Sequence, residues 1–130
     1  MINKKKILVD MSATLLHHGH IRLLKKASKL GKVIVALTKD SEIKKYKGYQ
    51  PELSFKYRKE ILKSIKYVEQ VIPSSFVINN KYLIKNKIDF LVHGHDNKNI
   101  IDKSKVILFS KTKNISSSIL RKKSAKCLKK

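Results

Sequence analysis

The sequence predicts an α/β protein built on a single doubly wound sheet of five parallel strands. Apolar runs of strand length recur five times in 130 residues, at 6–10, 32–38, 69–73, 88–94 and 106–109. Segments with helical spacing alternate with them, which is the pattern of stacked βαβ units. The second run, Lys32 to Thr38, is nearly all apolar, as suits a strand covered on both faces of a parallel sheet.

The elements follow in order. After the first strand, Ile21, Leu24, Ala27 and Leu30 recur at helical spacing with Lys25, Lys26 and Lys29 on the other side, and Gly31 is expected to end this helix as a C-cap. Strand, helix and strand thus arrive within about forty residues, the length of one right-handed crossover. Lys39 to Pro51 is polar and lysine-rich and reads as a loop or a broken short helix. A second amphipathic helix is predicted from Ser54, its N-cap, to Tyr67, with Ile61, Leu62, Ile65 and Val68 on one side. Pro73 stops the third strand, Lys81 to Lys87 forms a short helix, and Gly94 ends the fourth strand. The last helix starts near Ser116 and passes through Ile119 and Leu120 into a basic tail, Arg121 to Lys130, expected to fray. This makes one domain, 1–122, and a basic C-terminal tail, 123–130.

Lys and Arg number 31 against 9 Asp and Glu, a net charge of +22. Such a charge attracts polyanions over long range, although general abundance of lysine, isoleucine and asparagine accounts for it equally well. Cys127 is the only cysteine, so neither a disulfide framework nor a cysteine-based zinc site can be built. No signal-peptide core and no apolar run near the ~20 residues of a membrane span is present, so a soluble, cytoplasmic protein without a transmembrane segment is expected.

The first strand feeds into Leu16-His17-His18-Gly19-His20. Two imidazoles, His17 and His20, flank a glycine where the backbone turns into a helix. The amides of a first helical turn and the helix dipole both favour an anion there. Histidines so placed donate hydrogen bonds to phosphate oxygens and to a leaving group as charge builds on it. The arrangement points to a nucleoside triphosphate site. One competing reading is a helix-capping histidine beside a surface one. Another is a metal site of His17, His18 and His20, for which no neighbouring carboxylate or cysteine completes the ligand set. The polar clusters after strands one, two, four and five fall on the same sheet edge, where doubly wound folds bind ligands.

Leu15 to Leu24, with His17-His18-Gly19-His20 at its centre, resembles the His-x-Gly-His signature of the cytidylyltransferase-like nucleotidyltransferases, with their Rossmann-like fold. Arg58 to Leu62 and Lys66 to Pro73 are similar to the second helix and third strand of the glycerol-3-phosphate cytidylyltransferase branch, and Ile88 to Asp96 to its fourth strand. Lys111 to Ser118 falls on its second signature, usually Arg-Thr-Glu-Gly-Ile-Ser-Thr/Ser. The resemblance covers about residues 6–122.

It implies attack by a substrate phosphate oxygen on the α-phosphate of CTP, with Mg²⁺ and loss of pyrophosphate, without a covalent enzyme intermediate. His17, His20, Lys47 and Lys111 take the catalytic places. Ser12, Ala13, Thr14, Gly19, Gly94, Asp96, Thr112, Ile115 and Ser116 complete the nucleotide-binding set, and Lys44, Arg58 and Lys81 fall at acceptor-binding positions. The acceptor implied is a small phosphorylated alcohol, sn-glycerol 3-phosphate first, then phosphoethanolamine, phosphocholine or another polyol phosphate; an adenylyl-transferring relative is the variant on the nucleotide side. A homodimer is also implied.

The chain departs from the family at several places. Thr14 stands where an aspartate is usual, Lys111 replaces the arginine of the second signature and loses its bidentate phosphate geometry. Lys113-Asn114 replaces Glu-Gly, with Asn114 able to keep a left-handed turn. A non-catalytic polyanion-binding domain and a degenerate nucleotide-binding protein are the alternatives from another class. No helix-turn-helix, zinc-finger or RNP-like signature supports specific nucleic-acid binding.

Overall fold

The computed structural model describes residues 4–94, 99, 101–109 and 112–128. Five strands, β1 (Lys6–Met11), β2 (Lys32–Thr38), β3 (Gln70–Ser74), β4 (Phe90–Gly94) and β5 (Val106–Phe109), form one sheet in the order β3-β2-β1-β4-β5. Every pairing is parallel. Five α-helices connect or follow them: α1 (His18–Ser28), α2 (Asp40–Lys47), α3 (Phe55–Lys63), α4 (Asn80–Lys85) and α5 (Ser117–Leu128).

The central strand is buried on both faces: Ile7, Leu8 and Val9 have no exposed surface. Alternation sends successive side chains to opposite faces. Ile7, Val9 and Met11 join Val35, Leu37, Val92, Leu24 of α1 and Leu62 of α3 in one core. Leu8 joins Ile34, Ala36, Leu91 and Leu83 of α4 in the other. With α1 and α3 on one face and α4 on the other, the winding reverses between β1 and β4. That is the switch point, where a crevice opens at the carboxyl ends of the strands.

Gly31 works differently from its expected role. α1 ends at Ser28, with Lys29 as a right-handed C-cap. A Cβ on Gly31 would lie 2.2 Å from the Lys5 carbonyl oxygen, beside the bond in which the Lys32 N–H donates to that oxygen (2.8 Å). Close backbone approach, not a left-handed cap, requires glycine there. The lysine-rich stretch after β2 is a full helix, α2. Asp40 and Glu42 occupy its first turn, Lys44, Lys45 and Lys47 its last, and Gly48 (φ 79°) caps it; both charge groups suit the helix dipole.

Ser54 stands at the N-cap of α3, but its side chain makes no cap bond; Asp40 Oδ2 accepts from the Phe55 N–H instead (3.2 Å). The basic segment expected to fray is helical through Leu128, continuing α5 past residue 122 without a break. Pro73 sits in edge strand β3, where its missing N–H costs no central ladder bond.

Candidate active site

At the switch point the structure forms a cavity of about 580 Å³, within the size range of small-molecule sites. Its wall takes in the end of β1 and the following loop (Asp10 to Thr14), the start of α1 (His17, Gly19, His20), Lys47 of α2, and Thr112 with Ile115 to Ser118 at the start of α5.

The two histidines build their own helix start. His17 is the N-cap of α1, and its Nδ1 accepts from the Gly19 N–H (3.0 Å). His20 Nδ1 accepts in turn from the His17 N–H (3.2 Å), and the ring centroids lie 4.0 Å apart. An imidazole nitrogen that accepts carries no proton, so each neutral ring holds its hydrogen on Nε2. Burial is the first cause lowering the His17 pKa, with His18 adding to it. Burial also takes His20 down to about 3, helped by His17 and Lys47. Both rings are therefore neutral at pH 7, each with one Nε2–H to donate. The capping role and a place on the cavity wall coincide in the same residues.

The start of α5 is docked onto this loop. Ser117 Oγ donates to the Leu15 carbonyl (2.9 Å) and accepts from the Leu15 N–H (3.3 Å), while Ser116 Oγ caps the helix through the Ile119 N–H (3.1 Å). Asn114 is left-handed (φ 62°), so the turn survives the loss of glycine as expected. Thr14, at the usual aspartate position, is buried, and its hydroxyl accepts from Arg121 Nη2 (3.3 Å). Arg121 also grips Glu52 with two bonds, at 2.5 and 2.7 Å, and stacks over Tyr49. That pairing holds the Glu52 carboxyl below its usual range. Ala13 lines the cavity in a left-handed conformation (φ 47°), a local strain of the kind found around ligand sites.

Of the residues singled out in the sequence, Ser12, Ala13, Thr14, His17, Gly19, His20, Lys47, Thr112, Ile115 and Ser116 come together on the cavity wall. Gly94 ends β4, in register with Phe109. Lys111 and Asp96 lie outside the described residues. Lys44 is exposed on α2 and Lys81 on α4, and neither is brought to the cavity.

Arg58, expected to meet the acceptor, is buried in protein instead. Its Nη1 donates to the carbonyls of Ser12 (2.7 Å) and Thr38 (3.0 Å), Nε to that of Leu53 (3.0 Å), and Nη2 to Asp40 Oδ1 (2.5 Å). It ties the loop after β1 to the end of β2.

Sequence reasoning assigned no role to Asp10, His93 or Asn99, which also line the cavity. Asp10 Oδ1 pairs with His93 Nδ1, and Asp10 Oδ2 accepts from Asn99 Nδ2 (2.8 Å). The available signal was positional: Asp10 ends a buried strand at the sheet edge that binds ligands.

A parallel sheet whose switch point carries a reciprocally capped histidine pair, facing a second helix start, is an arrangement suited to holding phosphate groups. The family model described as Cytidylyltransferase-like matches residues 13–123, and the chain belongs to that family. It is 32% identical to the glycerol-3-phosphate cytidylyltransferase of Bacillus subtilis (strain 168), over 93% of this chain and 98% of that protein. A Staphylococcus aureus protein of the same description is 34% identical over 90% of this chain and 92% of its own length. The ethanolamine-phosphate cytidylyltransferase of Dictyostelium discoideum is 33% identical over 72% of this chain, which spans 27% of that longer protein. Among solved structures, the lipopolysaccharide core biosynthesis protein of Thermoplasma volcanium GSS1 shares the fold, with a TM-score of 0.70 at 24% identity, covering 83% of this chain and 98% of that one. Among the described residues no helix is long and apolar enough to cross a membrane.

Proposed function

We propose that the protein transfers CMP from CTP to a small phosphorylated alcohol, sn-glycerol 3-phosphate first, giving CDP-glycerol and pyrophosphate. The observation that carries this reading is the His17–His20 pair, neutral and fixed in one tautomer at the start of α1. Full-length similarity to two glycerol-3-phosphate cytidylyltransferases supports the acceptor. The similarity to an ethanolamine-phosphate enzyme keeps phosphoethanolamine as the second acceptor.

In this reading the triphosphate lies across the starts of α1 and α5, where the helix dipoles favour it and the two Nε2–H groups of His17 and His20 meet it. A phosphate oxygen of the acceptor attacks the α-phosphorus, the bond to the bridging oxygen breaks, and pyrophosphate leaves with the electron pair. His17 and His20 donate to the oxygens on which charge grows, and Lys47 neutralises the acceptor phosphate. Such a reaction needs positioning and charge stabilisation more than proton transfer.

Among the described residues no three His, Cys, Asp or Glu side chains converge as metal ligands. Both oxygens of Asp10, the one carboxylate described on the cavity wall, already accept from His93 and Asn99. Magnesium belongs to this reading as part of the substrate, MgCTP, held chiefly by phosphate oxygens. A cytoplasmic homodimer also belongs to it, with Leu53, Tyr57 and Ile61, exposed on and before α3, as apolar surface for a second copy. Light scattering showing only 15.0 kDa particles would remove the dimer.

The test is pyrophosphate release with Mg²⁺, crossing CTP and ATP against glycerol 3-phosphate, phosphoethanolamine and phosphocholine. Turnover with CTP and one acceptor is expected, with His17→Ala abolishing it. Failure to bind any nucleotide would refute the proposal.

A further inference from the structure

Three of the stretches on the cavity wall lie far apart in the chain: the loop from β1 into α1, the end of α2 at Lys47, and the start of α5. Where a reaction depends on positioning, the contacts that hold such stretches in register matter as much as the groups they carry. The first and third are joined directly, because the Ser117 hydroxyl bonds both the N–H and the carbonyl of Leu15. Lys47 is placed differently. It is the last residue of α2, and Gly48 after it is left-handed (φ 79°) with open space where a Cβ would stand. A glycine leaves the backbone free to turn several ways, so the setting of Lys47 depends on what grips the loop that follows.

Arg121 grips that loop. Its Nε and Nη2 donate to the two carboxylate oxygens of Glu52 (2.5 and 2.7 Å), and its guanidinium carbon lies 4.5 Å from the centre of the Tyr49 ring. Nη2 also donates to the hydroxyl of Thr14 (3.3 Å), a buried residue of the loop from β1 into α1. Ser117 and Arg121 are one helical turn apart and share a face of α5. That face meets neighbouring residues of one loop, Leu15 through Ser117 and Thr14 through Arg121. From 122 to 128 every residue is exposed, so Arg121 is the last half-buried residue of the helix. One guanidinium thus joins α5, the loop after Lys47 and the loop before the histidine pair.

Arg121, Glu52 and Tyr49 do not line the cavity, so any part they play in the reaction runs through the residues they hold. The side chains of Arg121 and Glu52 are 31% and 40% exposed, and an ion pair in that setting adds little to stability. A bidentate fork nevertheless fixes one geometry, which a lysine ammonium cannot reproduce. We propose that Arg121 is a positioning residue for cytidylyl transfer, setting the loop after Lys47 through Glu52 and Tyr49 and fastening it to the histidine-bearing segment through Thr14. This rests on the reaction proposed above and adds to it a clasp built outside the cavity.

The experiment measures kcat and KM with MgCTP and whichever acceptor the wild type turns over, in Arg121→Lys, Glu52→Gln and the double variant, beside a urea melt of each. Arg121→Lys should lower kcat about tenfold or more, keep the KM of CTP within about threefold and move the urea midpoint by less than about 0.5 M. Glu52→Gln should lower kcat about threefold or more. The double variant should match the slower single variant within about twofold, because both changes open the same clasp.

A kcat for Arg121→Lys within about twofold of the wild type overturns the proposal. So does an Arg121→Lys protein that melts early while Glu52→Gln keeps full activity, since the arginine would then serve folding alone. Losses that multiply in the double variant overturn it as well, because they would belong to two independent contacts. Absence of CTP turnover by the wild type with every acceptor overturns the reaction itself and the clasp's place in it, a result distinct from an active enzyme indifferent to Arg121.

Discussion

Arg58→Lys separates a structural tie from a substrate contact. The guanidinium makes four hydrogen bonds, to the carbonyls of Leu53, Ser12 and Thr38 and to Asp40, from a side chain 1% exposed. A lysine ammonium has three donors and lacks the planar fork, so it cannot reach acceptors on three separate segments. Two buried carbonyls are then left unpaired at about 1–3 kcal/mol each. The Asp40 bond adds less, because that carboxylate is 37% exposed and screened by solvent. The sum is a loss of about 3 kcal/mol in unfolding free energy, read as a lower urea midpoint at unchanged slope. Below its melting temperature the variant should keep its acceptor KM within about threefold. A variant destabilised by less than about 1 kcal/mol with an acceptor KM raised tenfold would refute this reasoning and make Arg58 a substrate residue.

Gly31→Ala drives a Cβ into the Lys5 carbonyl and should cost about 3 kcal/mol in denaturant unfolding, the upper end for overpacking. Gly19→Ala would place a Cβ 2.8 Å from His17 Cε1; it should displace that ring, cost only about 1 kcal/mol in cap stability, and reduce turnover by on the order of 10²-fold. The His20 pKa is depressed, so the unfolded chain binds the proton more readily and stability falls as pH drops from 6.5 towards about 3. Urea melts at pH 5 should show about 2 kcal/mol less stability from this group than at pH 7, a difference that His20→Gln removes. Glu52→Gln weakens a largely exposed pair and should cost under about 1 kcal/mol, less still at high salt; a larger loss would mean that the Arg121 grip carries more of the docking of α5 than its exposure allows.

The parts legible in the sequence were those with local causes. β2 was legible because KVIVALT is apolar on both parities, and the histidine pair because its capping partners lie within three residues. α2 was half hidden: its apolar periodicity is slight, with only Ile43 buried, while its charges sit at the ends that favour a helix. Arg58 was placed correctly on a helix, yet its partners lie up to 46 residues away, and nothing local announces that a cation is consumed inside the fold. The Asp10–His93 contact joins positions 83 residues apart. Only the sheet order, with β4 beside β1, brings them together. The Thr14 departure became intelligible for the same reason, since Arg121, which meets its hydroxyl, arrives from 107 residues downstream.

The reciprocal capping of His17 and His20 ties two properties that other enzymes can vary separately. In the proposed reaction, a mutation that removes either imidazole takes away a phosphate donor and also uncaps an early helix of the fold, so inactive variants at these positions should be weakened folders as well. A descendant that abandoned the reaction would still be held to these residues by its own folding. In such a lineage the motif would outlive the chemistry, and its presence in a sequence would testify to the helix before it testified to an enzyme.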